Sequence, residues 1–207
     1  MKTDVILMKR DDVVVKLIGT CHVGTDEYYN QINDEIYRSC TLYEGIRSKQ
    51  LEKLAEAYKQ MAWLLGLKVQ ADKIDYKQKY MRRADISYGA LYSALNGEKV
   101  ADADKILEFV DSNKEDAHKA REYLNKPVFR FLINSLIKMT SMIPKNNKDY
   151  AIIDLRNNIL IHELLKKISR DYTDIAVLYG NAHLKGIKQS LKKLGFKQVD
   201  RKTLKAF

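Results

Sequence analysis

Two segments at opposite ends of the chain share one pattern, an aliphatic run followed by Gly-x-x-His. The first is Leu17-Ile18-Gly19-Thr20-Cys21-His22-Val23-Gly24 and the second is Leu178-Tyr179-Gly180-Asn181-Ala182-His183-Leu184-Lys185-Gly186. β-Branched and aliphatic residues lead into each glycine, over Val13 to Ile18 and Asp174 to Leu178, and an amphipathic helical pattern follows each histidine. Nearly continuous apolar runs of this length read as strands covered on both faces, as in a parallel sheet flanked by helices. The glycine lets the chain turn sharply out of the strand, and the imidazole then stands at a strand-to-helix junction. In an open parallel sheet such junctions line the crevice beyond the carboxyl ends of the strands, where ligands bind. Two histidines from distant parts of the chain can therefore serve one site.

The rest of the pattern predicts an α/β fold with a mainly parallel central sheet flanked by helices. Asp4 to Met8 and Val13 to Ile18 read as a hairpin around Arg10-Asp11-Asp12. Thr25-Asp26-Glu27 predicts a capped helix to about Arg38, and Ser39 to Tyr43 a strand with Glu44 at its end. Leu51, Leu54, Ala55, Tyr58, Met61, Ala62 and Leu65 form one apolar face of a helix over Arg47 to Leu65, closed by Gly66. Val69 to Ile74 predicts a short strand. From Asp75 to about Lys148 the patterns are helical: Tyr76 to Ala84, Ile86 to Leu95, Ala101 to Val110, Lys114 to Leu124 and Val128 to Ile143, with a turn at Asn96-Gly97. A long helix over Ile152 to Arg170, a strand over Asp174 to Leu178, a helix over His183 to Leu194 and a last strand over Gly195 to Val199 complete the chain. The expectation is one domain over 1–207, with an α/β core over 1–74 and 150–207 and a helical insertion over 75–149.

Composition narrows the class. A chain of 207 residues buries roughly 70% of the surface it exposes when unfolded, so its core needs no staples. Hydrophobic content of 45% beside 31% charged residues excludes a disordered chain. Cys21 and Cys40 give no disulfide framework, and a reducing, cytoplasmic compartment is expected. No signal-peptide core is expected at the amino terminus, and the apolar region Pro127 to Pro144, interrupted by Arg130, Asn134 and Lys138, is too short and too charged to span a bilayer. The net charge of +10 invites a nucleic-acid reading, but lysines are scattered through every helix, so no specific nucleic-acid partner is expected.

His22 and His183 lead the candidates for chemistry, because a neutral imidazole is both a metal ligand and a general base near neutral pH. Each alone is more readily a helix cap or a hydrogen bond to a neighbouring loop; two in the same context, strand to glycine to histidine to helix, favour a site. Glu44 projects from the same predicted edge with Arg47 three residues on, either as a ligand or base, or as a plain ion pair at a helix start. His162-Glu163-Leu164-Leu165-Lys166 begins like a helical zinc-peptidase motif but has Lys166 where the second histidine belongs. His118 falls on a charged helix face. Cys21 and His22 are adjacent, so their side chains point apart in extended chain, which disfavours a thiol nucleophile with its base. Gln78, Arg82, Arg83 and Asp85, with Tyr76, Tyr80 and Tyr88, either line the cleft from the insertion or form a wet helix face.

Four motifs in order resemble the TraB, PrgY, GumN and TIKI family, within the superfamily of erythromycin esterase-like and ChaN-like proteins. They are Gly19 to Gly24, Glu44 with Arg47, Arg156-Asn157, and Tyr179 to Ile187. The resemblance implies a metal-dependent hydrolase, peptidase-like in the TIKI branch, with manganese, cobalt or zinc held by His22, Glu44 and His183. Arg47 and Arg156 are then charged supports in the cleft, and the partner is a peptide or small-molecule substrate. Cys21 stands where the family pattern has a small residue such as alanine. The alternative is a binding protein that holds a peptide or small ligand in the same pocket without turnover. A homodimer is left open.

Overall fold

The computed structural model describes residues 1–46, 48–95, 103–112 and 147–207. In chain order its strands are β1 (Lys2–Arg10), β2 (Val13–Thr20), β3 (Val23–Gly24), β4 (Cys40–Tyr43), β5 (Lys68–Val69), β6 (Met81–Arg83), β7 (Asp174–Gly180) and β8 (Lys197–Lys205). The helices are α1 (Asp26–Ile36), α2 (Glu52–Leu65), α3 (Gln70–Lys73), α4 (Tyr88–Ala94), α5 (Ala103–Asp111), α6 (Asn147–Ile168) and α7 (Leu184–Lys193). Six strands form one sheet in the order β6-β4-β7-β2-β1-β8, and β3 pairs with β5 outside it. The four strands β6, β4, β7 and β2 run parallel; β1 is antiparallel to β2 and to β8.

The apolar runs are explained by burial on both faces. Along β7, Ile175, Val177 and Tyr179 pack with Leu160 and Leu164 of α6 and Leu184, Ile187 and Leu191 of α7. Ala176 and Leu178, alternating with them, pack with Tyr28, Tyr29, Ile32 and Ile36 of α1. A period of two thus feeds two cores, and no position along Ile175 to Leu178 can be polar without cost. Thr25 caps α1 by accepting from the Tyr28 N–H at 3.2 Å, and Gly66 closes α2 at φ 65°, both as the sequence predicts.

The insertion departs from expectation. The segment Tyr76 to Ala84, predicted helical, contributes β6, which pairs with β4 through Thr41↔Met81, Leu42↔Arg82 and Tyr43↔Arg83. The sheet therefore continues past residue 74, into the segment assigned to the insertion. Met81 is buried while Arg82 and Arg83 are exposed, so a three-residue edge strand held by backbone pairing left no alternation to read. Val69 to Ile74 divides into β5 and α3 rather than one strand. β8 is longer than Gly195 to Val199 because it is an edge: of its nine residues only Leu204 is buried, and its lysines and arginine suit an edge that must not recruit further strands. The helices expected over Lys114 to Leu124 and Val128 to Ile143 lie outside the described residues. Among the described residues no helix is long and apolar enough to cross a membrane.

Candidate functional site

Strand register brings the two Gly-x-x-His segments together. In the parallel β2/β7 ladder Gly19 lies opposite Tyr179 and Thr20 opposite Gly180, and in β4/β7 Tyr43 lies opposite Leu178. Three adjacent parallel strands end level, so His22, Glu44 and His183 all leave from the carboxyl edge of the sheet. Glu44 is still fixed by that ladder, its N–H donating to the Leu178 carbonyl at 2.9 Å.

The glycines are needed for space rather than for a turn. Gly180 has φ −52° and ψ 138°, values open to any residue. A Cβ there would lie 3.0 Å from Glu44 Oε2, and a Cβ at Gly19 would lie 2.4 Å from Asn181 Oδ1. The Asn181 side chain crosses Gly19 and accepts from the Asp4 N–H at 3.2 Å, so the second motif is seated on the glycine of the first. The sharp turn expected of each glycine is thus replaced by close approach.

Glu44 is the hub. Oε2 accepts from the Gly180 N–H at 2.5 Å and Oε1 from Arg156 Nη2 at 2.6 Å. Arg156 comes from α6 and is buried; it also grips Asp85 with two bonds, Nε to Oδ1 at 3.0 Å and Nη2 to Oδ2 at 2.7 Å. Asp85, whose side chain is fully buried, accepts further from the Gly45 and Ile86 N–H groups at 3.0 and 2.7 Å. A fork-shaped guanidinium between two carboxylates is a charge-assisted arrangement suited to burial. Burial by itself raises the Glu44 pKa, but Arg156, then His183, the Gly180 N–H and His22 outweigh it and hold the carboxyl down to about 2. Opposed desolvation acts on Arg156, which Glu44 and Asp85 keep charged.

The depressed Glu44 pKa has a stability consequence of defined sign. Its ordinary value is 4.5, so the folded state binds its proton more weakly than the unfolded chain. The resulting stabilisation, on the order of 3 kcal/mol, is complete above pH about 4.5 and is lost as pH falls toward 2. Denaturant unfolding of the wild type and of Glu44→Gln between pH 6 and 3 checks this: the wild type should lose its advantage over the variant across that range. A constant difference would show that Glu44 is not held ionised.

His183 is buried, with Nδ1 2.8 Å from Asn157 Oδ1 and Nε2 3.8 Å from Glu44 Oε1. Burial lowers its pKa, with Glu44 pulling the other way, so the ring is neutral at neutral pH. His22 joins by charge rather than by contact. Its ring lies 4.6 Å from that of Tyr58 on α2, and it and Glu44 each alter the other's proton affinity. Its pKa is also lowered, first by desolvation, but the residue is exposed, and solvent moderates that penalty. Tyr76, whose hydroxyl accepts from Gln70 Nε2 at 2.7 Å, has its pKa raised by burial and then by the Glu44 charge.

Of the residues picked from the sequence, Glu44, His183 and Arg156 meet directly, His22 is within reach of their field, and Arg47 lies outside the described residues, as does His118. Among the described residues the cation on Glu44 is Arg156, 112 positions away. Arg156 is buried behind that carboxylate, so it orients Glu44. Asp85 is part of the site, whereas Arg82 turns its guanidinium onto the Lys79 and Met81 carbonyls and Tyr80 is exposed. Asn157 enters the sequence reading only as the neighbour of Arg156 in a motif; the signal is a cation and an amide at adjacent positions in the middle of an otherwise amphipathic helix. Cys21 is buried against α1, donates to the Val23 carbonyl at 3.1 Å, and has its thiol pushed up to about 11 by burial, which leaves no nucleophile there. His162 is exposed on α6. A surface hollow of about 180 Å³ beside β1 and β8, lined by Val5, Leu7, Lys16, Glu35, Asp200 and Lys202, includes none of these groups.

Comparison with known proteins gives no match. No family model fits the chain, and no curated protein and no solved structure is detectably similar. The site must be read from its own chemistry.

Proposed function

We propose that the chain is a hydrolase, most simply of peptide bonds as the TraB and TIKI resemblance implies, with His183 as general base and Glu44 as its anionic partner. The observation that carries the reading is the 3.8 Å approach of His183 Nε2 to Glu44 Oε1 at the carboxyl edge of a parallel sheet, one group from each end of the chain. A carboxyl held near pKa 2 is too weak a base to deprotonate water at neutral pH, whereas a neutral imidazole is suited to it. His183 takes the proton of a bound water as the hydroxide attacks the substrate carbonyl. The imidazolium so formed is stabilised by Glu44, whose charge Arg156 and the Gly180 N–H keep in place. The leaving amine then takes the proton back from His183.

The resemblance adds a divalent ion held by His22, Glu44 and His183. In kind the donors suit it, being two neutral imidazoles and a carboxylate. Their arrangement does not: among the described residues no three such side chains are placed to hold an ion, and Glu44 Oε1 already carries a guanidinium whose charge opposes a cation. The water-activating step therefore rests on His183 and Glu44. Two measurements test the proposal. Hydrolysis of peptide and ester libraries by the wild type, strongly reduced in His183→Gln, supports it, with kcat/KM falling at acid pH, below the ordinary imidazole range, as His183 protonates. Ligand binding without turnover would instead favour a binding protein. Calorimetry with manganese, cobalt and zinc on the wild type, His22→Ala and His183→Ala decides the ion: one site lost in both variants restores the metal-dependent mechanism.

A further inference from the structure

We infer that Asn157 is a positioning residue that fixes the tautomer of His183 and so presents the Nε2 lone pair, not an N–H, to Glu44. The inference rests on the proposed site but not on its turnover. Asn157 and His183 are each about 2–3% exposed, so no solvent substitutes for the bond between them. A neutral imidazole has one N–H, and an amide oxygen only accepts; with Oδ1 at 2.8 Å from Nδ1, the proton is on Nδ1.

In the structure the amide oxygen faces His183 and the amide nitrogen faces Gly186, where a Cβ would lie 2.5 Å from Nδ2; the wild-type tautomer therefore also decides between this orientation and the reversed amide. Nδ2 has no hydrogen-bond partner although it is buried, an arrangement that costs free energy and that folded proteins rarely retain without a reason. The reason offered by the geometry is the opposite end of the amide: Oδ1 must face His183. Gly186 belongs to the same device, since any side chain there displaces the amide.

The consequence is chemical. With the proton on Nδ1, Nε2 and Glu44 Oε1 are both acceptors 3.8 Å apart, too far and of the wrong type to bond one another. A single water, donating one proton to each at about 2.8 Å, serves both. Asn157 thereby converts a histidine and a glutamate that would otherwise pair into a holder for the nucleophile.

Long-range proton–nitrogen NMR of the imidazoles at pH 8 reads this directly in the wild type, Asn157→Asp and Asn157→Leu. The expected result is a protonated Nδ1 and bare Nε2 on His183 in the wild type and in Asn157→Asp, which keeps an acceptor. In Asn157→Leu the proton moves to Nε2, and kcat falls about 10–100-fold with KM little changed, as for other groups that orient a reacting histidine. A wild-type His183 protonated on Nε2 overturns the inference without recourse to any variant, as does an unchanged tautomer in a folded Asn157→Leu. Because the tautomer is read without substrate, a protein that shows Nδ1–H but hydrolyses nothing keeps this inference and loses the hydrolase.

Discussion

Arg156→Leu is expected to destabilise the protein by about 3–5 kcal/mol, the cost of leaving buried charge without its partner. Two carboxylates lose this cation at once: among the described residues Asp85, fully buried, keeps the Gly45 and Ile86 N–H groups, and Glu44 keeps the Gly180 N–H. For a chain of this size that corresponds to a melting temperature roughly 6–20 °C lower. Pairing the change with Asp85→Leu should recover part of the loss, because apolar replacement of both members of a buried pair is far less costly than removal of one. Thermal unfolding of the two single variants and the double variant supplies the cycle. A loss below about 1 kcal/mol in Arg156→Leu, within the range of an exposed ion pair, would mean that solvent reaches Asp85 and that the guanidinium does not organise the site.

His183→Gln and Glu44→Gln are each expected to lower turnover by about 10²–10⁴-fold, the range of a general base in its transition state. Their combination should cost little more than either change alone. Groups that act as a unit are not additive, since removal of one disables the other. Arg156 and Asn157 remain in both variants, so the readout belongs to the pair and not to its supports. Steady-state kinetics on the three variants, with circular dichroism to show that the fold persists, checks the expectation. Additive losses would show that His183 and Glu44 act on separate steps.

What was legible in the sequence follows from what was buried. β2 and β7 announced themselves because helices cover both of their faces, leaving apolar residues at successive positions. The edge where those strands end, and with it His22, Glu44 and His183, followed from the strand-to-glycine pattern. β6 did not announce itself, and β8 did so only over its first residues, within Gly195 to Val199: backbone pairing at a sheet edge holds them, and backbone pairing carries no residue signature. The ion pairs were illegible for another reason. Arg156 reaches Glu44 and Asp85 across 112 and 71 positions, a meeting set by how α6 crosses the sheet, and local spacing offered only the nearer Arg47. Asp85 becomes recognisable once Met81 to Arg83 is known to be a strand, because it then occupies the loop beyond a carboxyl end, the same station as Glu44. The glycines matter for space and not for the turn that their position in the sequence suggests. Gly180 admits the Glu44 carboxylate and Gly19 admits Asn181, neither by an unusual φ, and a sequence does not distinguish a glycine kept for its backbone from one kept for its emptiness.

The Glu44 carboxylate acts on both Gly-x-x-His histidines, which makes them parts of one charged site. NMR titration of the histidine side chains in the wild type and in Glu44→Gln tests it most directly. The Glu44 charge raises the pKa of both His22 and His183, so its removal should lower both, with His183 moving more because it is buried and 3.8 Å away. If His22 and His183 keep their wild-type titrations in a folded Glu44→Gln, the two ends of the chain do not share a site and the hydrolase reading falls with it.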